Sequence, residues 1–336
     1  MTFEIPVWFE ITSMAVLTAI LIADLLIIIK RPHIPKMGEA SGWVGFYVAL
    51  ALVFALLLFV FTEGSRADAA GQFIAGWLTE YSLSIDNLFV FVLLMTQFAV
   101  PRRYQQRVLM VGIIIALVLR GLFILAGAAL IENFSWIFYI FGLFLVYTAW
   151  RQAFPGKQES EAAAETGIVR FLRRFIHIGN DYDGARLRTV VDGKKIWTPM
   201  ILVFLAIGFT DLVFAIDSIP AIFGITQSPF IVFAANVFAL MGLRQLYFLL
   251  GGLLDRLRYL HYGIAFILAF IGVKLFFHAL HVNELPFING GQPVDWAPEI
   301  STWVSLGVIV AAMAVATVAS LIAANRDRTR ARADSD

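Results

Sequence analysis

The 336-residue sequence predicts an all-α protein, a polytopic transmembrane helix bundle of about nine spans built around an inverted three-plus-three helix repeat. Three observations carry this expectation. Hydrophobic residues make up 60% of the chain and charged residues only 15%, a balance far from that of soluble domains. Nine stretches reach the roughly 20 apolar residues needed to cross about 30 Å of hydrocarbon. Two of those stretches carry the same acidic motif in helices expected to cross the bilayer in opposite senses.

Residues 7–61 read as two leading helices, Val7–Ile29 and Trp43–Phe61. The first has too long an apolar run for a signal peptide, and Met1–Pro6 supplies no basic flank, so it is expected to be retained. Residues 72–150 read as the first repeat, with spans Gln72–Phe98, Val108–Ile131 and Phe134–Trp150. Residues 151–198 form the only long cytoplasmic connection, highly charged, with Gly179, Gly184 and Gly193 marking turns. Within it, Val169–Ile178 is amphipathic and fits a helix lying on the membrane surface or a plain solvated loop equally well. Residues 199–281 read as the second repeat, with spans Pro199–Phe223, Phe230–Leu254 and His261–Leu280. Trp303–Ala323 is the last span, and residues 324–336 are a basic tail read as a topology anchor.

Alternate connections differ sharply in basic residues, the feature that sets orientation during insertion. One set holds 21 of the 25 Lys and Arg, whereas the other holds only Arg66. The N-terminus is therefore expected outside and the C-terminus in the cytoplasm, in a multi-pass protein of the inner (plasma) membrane. The remaining bases, Arg120, Arg244 and Lys274, fall inside predicted spans.

Composition also excludes function classes. A formal charge of +1 leaves no large basic surface for nucleic acid. The absence of cysteine removes disulfides, thiolate metal sites and thiol redox chemistry. No dinucleotide fingerprint, haem-attachment motif or nucleophile elbow is present, so the chain is not expected to be an enzyme. No permanently bound cofactor is expected, and no signal sets an oligomeric state.

The third span reads EYSLSIDN from Glu80 to Asn87, and the sixth reads DLVFAIDS from Asp211 to Ser218. Each places an acid, five intervening residues, a second acid (Asp86, Asp217) and a small polar side chain (Asn87, Ser218). The following span of each half carries a basic motif, in which Arg120 matches Arg244 and Gly127 matches Gly251. Under the orientation above, the third span runs inward and the sixth outward, the pattern of an inverted repeat. Chance likeness between apolar helices is the competing reading.

Ionisable residues inside a bilayer cost about 2.5 to 3.5 kcal/mol each on insertion scales, so their presence needs a reason. The four motif acids against Arg120, Arg244 and Lys274 leave one net negative charge, and two if Asp24 is counted. A negative interior favours a cation, and its carboxylate, amide and hydroxyl groups are hard donors suited to Mn, Mg or Ca. Acids six residues apart lie about 240° around an ideal helix and about 9 Å along it, so they cannot share one ion unless the helix is interrupted. Pro220 suggests such an interruption, because it leaves the Ile216 carbonyl unpaired beside Asp217. The site is accordingly centred on Asp86 and Asp217, with Asn87 as an added ligand. Glu80 and Asp211 are expected to be displaced toward opposite faces, in gating or successive binding steps. The plainer alternative is that all these acids pair with the three bases to hold helices together.

Weaker candidates follow. Asp24 is a possible further ligand, Glu10 an interfacial residue, and Asn236 a helix-to-helix hydrogen bond. His278, His281 and Glu284 recur at three-residue intervals and would share one helical face, a possible vestibule metal site.

EYSLSIDNLFVF (Glu80–Phe91) and DLVFAIDSIPAIF (Asp211–Phe223), with LRQLYFLL and IGVKL following, together resemble the TerC family of integral membrane proteins, closest to its Alx-type members. The resemblance spans most of residues 7–323 and places the chain near the LysE-like inverted-repeat transporters. It implies export of manganese ions from the cytoplasm, an association with tellurium resistance, and a redox-modulating role for some members. It also implies that the motif acids are Glu80, Asp86, Asp211 and Asp217, with Asn87 completing the first motif. The expected partners are a divalent metal ion, protons and the lipid bilayer. The expected function is divalent-cation efflux by proton antiport, the alternatives being a membrane redox modulator or a non-transporting stress-response scaffold.

Overall fold

The computed structural model describes residues 3–30, 37–154, 183–184, 186–191, 194–250, 259–294 and 296–333. The amphipathic stretch Val169–Ile178 and Gly251 lie outside the described residues. The chain is a polytopic helical membrane protein. Its helices are α1 (Val7–Lys30), α2 (Met37–Phe61), α3 (Arg66–Gln97), α4 (Arg102–Asn133), α5 (Ile137–Ala153), α6 (Met200–Phe223), α7 (Pro229–Met241), α8 (Leu243–Leu250), α9 (Leu260–His281) and α10 (Thr302–Ala333).

Among the described residues, seven helices are long and apolar enough to cross a membrane, where the sequence led us to expect nine spans. Two places account for the difference. Helix α5 has 17 residues, just short of a full crossing by itself. The span expected over Phe230–Leu254 is broken: α7 starts on the Ser228 cap, whose side chain accepts from the Ile231 amide, and ends at Gly242. Glycine gives up more backbone freedom than any other residue when fixed in a helix and costs about 1 kcal/mol against alanine. The expected interruption at Pro220 is not seen, since α6 runs unbroken to Phe223 and Pro220 sits in its last turn.

Helix α3 is the hub. Of its apolar window 73% is buried, against 17% for α1 and for α10, so among the seven long apolar helices the one that carries the first acidic motif is the most enclosed by protein. It packs against α2, α6, α7 and α10. Gly76 admits close contact with Ile222 and Ala235. Four residues further along α3, Glu80 shares a partner with Asp211, eleven residues before Ile222, so α3 and α6 run in opposite directions. Helices α4 and α6 run the same way, because Gly112 meets Ile207, Gly208 meets Ile115 and Gly127 meets Phe223.

Helices α5 and α9 approach through a reciprocal pair of glycines. A Cβ on Gly142 would lie 2.8 Å from the Gly272 carbonyl oxygen, and one on Gly272 would lie 2.8 Å from the Gly142 carbonyl oxygen. Only glycine permits such a backbone approach, the usual means of helix association where the solvent is itself apolar.

Two short antiparallel pairings complete the fold. Strand β1 (Phe3–Glu4) pairs with β2 (Glu63–Gly64) and ties the chain start to the α2–α3 connection. In the long connection, β3 (Arg188–Val191) pairs with β4 (Lys194–Trp197), and the Arg188 guanidinium lies 4.0 Å from the centre of the Trp197 ring. Sequence analysis noted only turns here, although an Asp192-Gly193 dipeptide between β-branched runs is a strong hairpin signal.

Candidate charged site among four helices

Arg120 projects from α4 into the most enclosed part of the bundle and is 1% exposed. It forms an ion pair with Glu80 of α3, and its Nη2 lies 3.5 Å from Asp211 Oδ1 of α6. Its Nη1 also donates to Asn236 Oδ1 of α7 at 2.9 Å. The Asn236 amide is oriented by its own backbone, because Nδ2 donates to the Val232 carbonyl at 3.0 Å. Four helices thus each supply one polar group to a single buried cluster. With two carboxylates and one guanidinium, it carries one net negative charge.

The cluster is only partly satisfied. Among the described residues, Glu80 Oε2, Asp211 Oδ2, and Arg120 Nε and Nη2 have no hydrogen-bond partner. The same holds for the buried hydroxyls of Thr79, Ser84 and Ser218. Ser84 and Asn87 stand four and seven residues after Glu80, and Ser218 stands seven after Asp211, so each acid has polar groups stacked along its own helical face. Leaving buried polar groups unpaired costs about 1–3 kcal/mol apiece, more for charged ones. The arrangement is therefore rich in free oxygen donors of the kind a hard cation takes.

The structure brings Glu80 and Asp211 onto one guanidinium, correcting the expectation that they part toward opposite faces. The reason is geometric: on antiparallel helices, the side of α3 that bears Glu80 and the side of α6 that bears Asp211 both face α4. Asn87 is buried on the Glu80 face of α3. Asp217 is half-buried and engaged in an interaction of its own. The side chains of Asp86 and Arg244 lie outside the described residues.

Asn236 joins this cluster, whereas Lys274, Asp24 and the His278, His281 and Glu284 set separate from it. Lys274 donates to Ser305 Oγ of α10 at 3.1 Å. Asp24 is half-exposed on α1. His278 lies 2.8 Å from the Gln227 amide nitrogen, while Glu284 accepts from Ser135 Oγ at 2.8 Å. The expected metal face of His278, His281 and Glu284 does not form: α9 ends at His281, so Glu284 leaves the helical register, and among the described residues no three such groups converge. His278 and His281 instead line a cavity of about 750 Å³ with Glu10, Gln227, Lys274 and Glu299. Phe223 lines that cavity too, and it also packs with Ile124, Ile219 and Ile222 in an apolar cluster. Ile124 stands one turn along α4 from Arg120, so this cluster adjoins the charged site as well as the cavity.

Sequence reasoning passed over Thr79, Ser84 and Gln245. Gln245 is 1% exposed with both amide atoms unpartnered among the described residues, three positions after the Gly242 break. A search for amides and hydroxyls near acids in apolar helices would have found Thr79 and Ser84, whereas Gln245 has no acid on its helix and carries no such signal.

A bundle of apolar helices enclosing an under-satisfied charged cluster defines a polytopic membrane protein with a charged interior. The chain belongs to the TerC family of integral membrane proteins, whose family model matches residues 65–328. It is 47% identical over 312 residues to the uncharacterized membrane protein Rv2723 of Mycobacterium tuberculosis, covering 90% of this chain and 78% of that one. It is 41% identical over 303 residues to the Escherichia coli protein Alx, by name a proposed membrane-bound redox modulator, covering 87% of this chain and 93% of that one. A Myxococcus xanthus membrane protein, STKORF319, is 38% identical over 308 residues, covering 92% and 90%. No solved structure matches the chain.

Proposed function

We propose that the protein exports divalent metal cations, manganese foremost, from the cytoplasm in exchange for protons. The observation that carries this reading is the convergence of Glu80 and Asp211 on Arg120, with unpaired carboxylate oxygens there and the unpaired hydroxyls of Ser84 and Ser218 one and two turns along the same helices. Two carboxylates in a dry interior can hold one divalent ion or its equivalent in protons, the exchange an antiporter needs. Asp86 and Asp217 stand six residues beyond Glu80 and Asp211, about 9 Å along helices that run in opposite directions. In this reading they are stations between the central pair and the two membrane faces, and Asn87 assists.

Direction follows from energetics. With the cell interior negative, moving a divalent ion outward costs about 4.6 kcal/mol per 100 mV, so export must draw on another gradient. The basic connections support a cytoplasmic C-terminus in the inner membrane. Antiparallel α3 and α6, together with the reciprocal Gly142–Gly272 contact, support two oppositely threaded halves that rock against each other. The redox role in the name of the Escherichia coli relative is the second reading. A sequence without cysteine disfavours its thiol form.

The test is Mn2+ flux into proteoliposomes under an imposed pH gradient. Uptake should collapse with the gradient and fall at least about tenfold in Glu80→Gln and Asp211→Asn, as expected when one of two paired ligands is removed. Flux indifferent to both changes would exclude the reading.

A further inference from the structure

We propose that Arg120 is a tethered counter-cation, a built-in occupant of the site that the transported ion must displace. The inference rests on the cation-export reading and deepens it. The guanidinium sits between Glu80 and Asp211, where a cation taking both carboxylates would sit, and it reaches them from a third helix. Charge makes the two occupants mutually exclusive. The carboxylate pair carries two negative charges, which a divalent ion neutralises completely and Arg120 neutralises by half. Both together would leave an uncompensated positive charge in a dry interior, which is strongly disfavoured.

The hold on Arg120 is also incomplete. A guanidinium offers five N–H donors in a rigid fork. Here Nη1 serves Glu80 and Asn236, while Nε and Nη2 make no hydrogen bond among the described residues, and Nη2 stands 3.5 Å from Asp211. A structural strut would be expected to saturate that fork, as buried ion pairs stabilise only when their remaining protons are bonded. A loosely held arginine on a flexible stem fits a part that leaves and returns. Its return pairs one carboxylate and leaves the other to take a proton, so that the site resets in exchange for protons without carrying two bare carboxylates across the bilayer.

A locked fraction of the population lowers apparent affinity in proportion, so removing the tether must raise it. Full-length wild type, Arg120→Gln and Arg120→Lys in lipid nanodiscs would be titrated with Mn2+, with free ion read by electron paramagnetic resonance and stability by thermal unfolding. Arg120→Gln should bind Mn2+ about tenfold tighter than wild type, with Arg120→Lys between them. Saturating Mn2+ should also raise the melting temperature more in Arg120→Gln than in wild type, while flux falls.

Mn2+ bound no tighter by Arg120→Gln than by wild type overturns the tether and leaves cation export standing. Arg120→Lys answers the same question should Arg120→Gln not fold. Binding by Arg120→Gln where wild type shows none supports the tether independently. Absence of binding in every form overturns the tether and export together.

Discussion

Glu80 of α3 and Asp211 of α6, 131 positions apart in sequence, share the single guanidinium of Arg120. The first acids of the two motifs thus form the buried centre, and the arginine between them sets the response of the site to substitution.

The two sides of this cluster should respond unequally. Arg120→Met leaves two buried carboxylates facing each other and should cost about 3–5 kcal/mol, the usual effect of stranding a buried charge. Glu80→Gln leaves Arg120 still balanced by Asp211 and should cost about 1–3 kcal/mol. Unfolding in detergent at constant pH would order the two variants.

At the α5–α9 contact, Gly142→Ala and Gly272→Ala each place a Cβ 2.8 Å from the opposing carbonyl oxygen. Overpacking of this kind should destabilise by about 1–3 kcal/mol. Because the sites contact each other, the double variant should cost less than the sum of the two, which thermal unfolding would read.

The apolar cluster of Ile124, Ile219, Ile222 and Phe223 adjoins both the charged site and the cavity lined by Lys274 and His278, a position in which it would act as a plug. The sequence lacks cysteine, so single introduced thiols report cleanly. Ser218→Cys should be shielded from an impermeant thiol reagent, and adding Phe223→Ala should raise its labelling rate about tenfold as the opening free energy falls by about 1.4 kcal/mol.

Orientation can be read the same way. Gln292→Cys should label from outside intact cells, and Phe154→Cys only after the membrane is permeabilised, in keeping with the basic residues of the 151–198 connection. The reverse pattern would invert the direction of transport.

The motif acids were legible as functional candidates because charge in an apolar helix is conspicuous. Which of them meet was not. Periodicity places Glu80 and Asp86 on different faces of α3, but these helices are apolar nearly all round, so no amphipathic stripe says which face turns inward. Pro220 drew attention as a helix breaker, yet α6 runs on to Phe223, because proline there removes a single amide donor, to the Ile216 carbonyl, without ending the helix. The break at Gly242 went unread because glycine is common in membrane helices. The spacing of His278, His281 and Glu284 misled, since a three-residue interval aligns side chains only while the helix lasts, and α9 stops at His281.

The sequence by itself determined a membrane-embedded, cysteine-free helical bundle, and it marked Glu80, Asp211 and Arg120 among the buried charges while centring the site on Asp86 and Asp217, because burying charge in lipid is costly wherever it occurs. Only the tertiary structure decided that these three share one site with Asn236. The rotation of each helix about its axis is fixed by close contacts such as Gly76 on Ile222, which depend on every neighbour at once and leave no local trace in the chain.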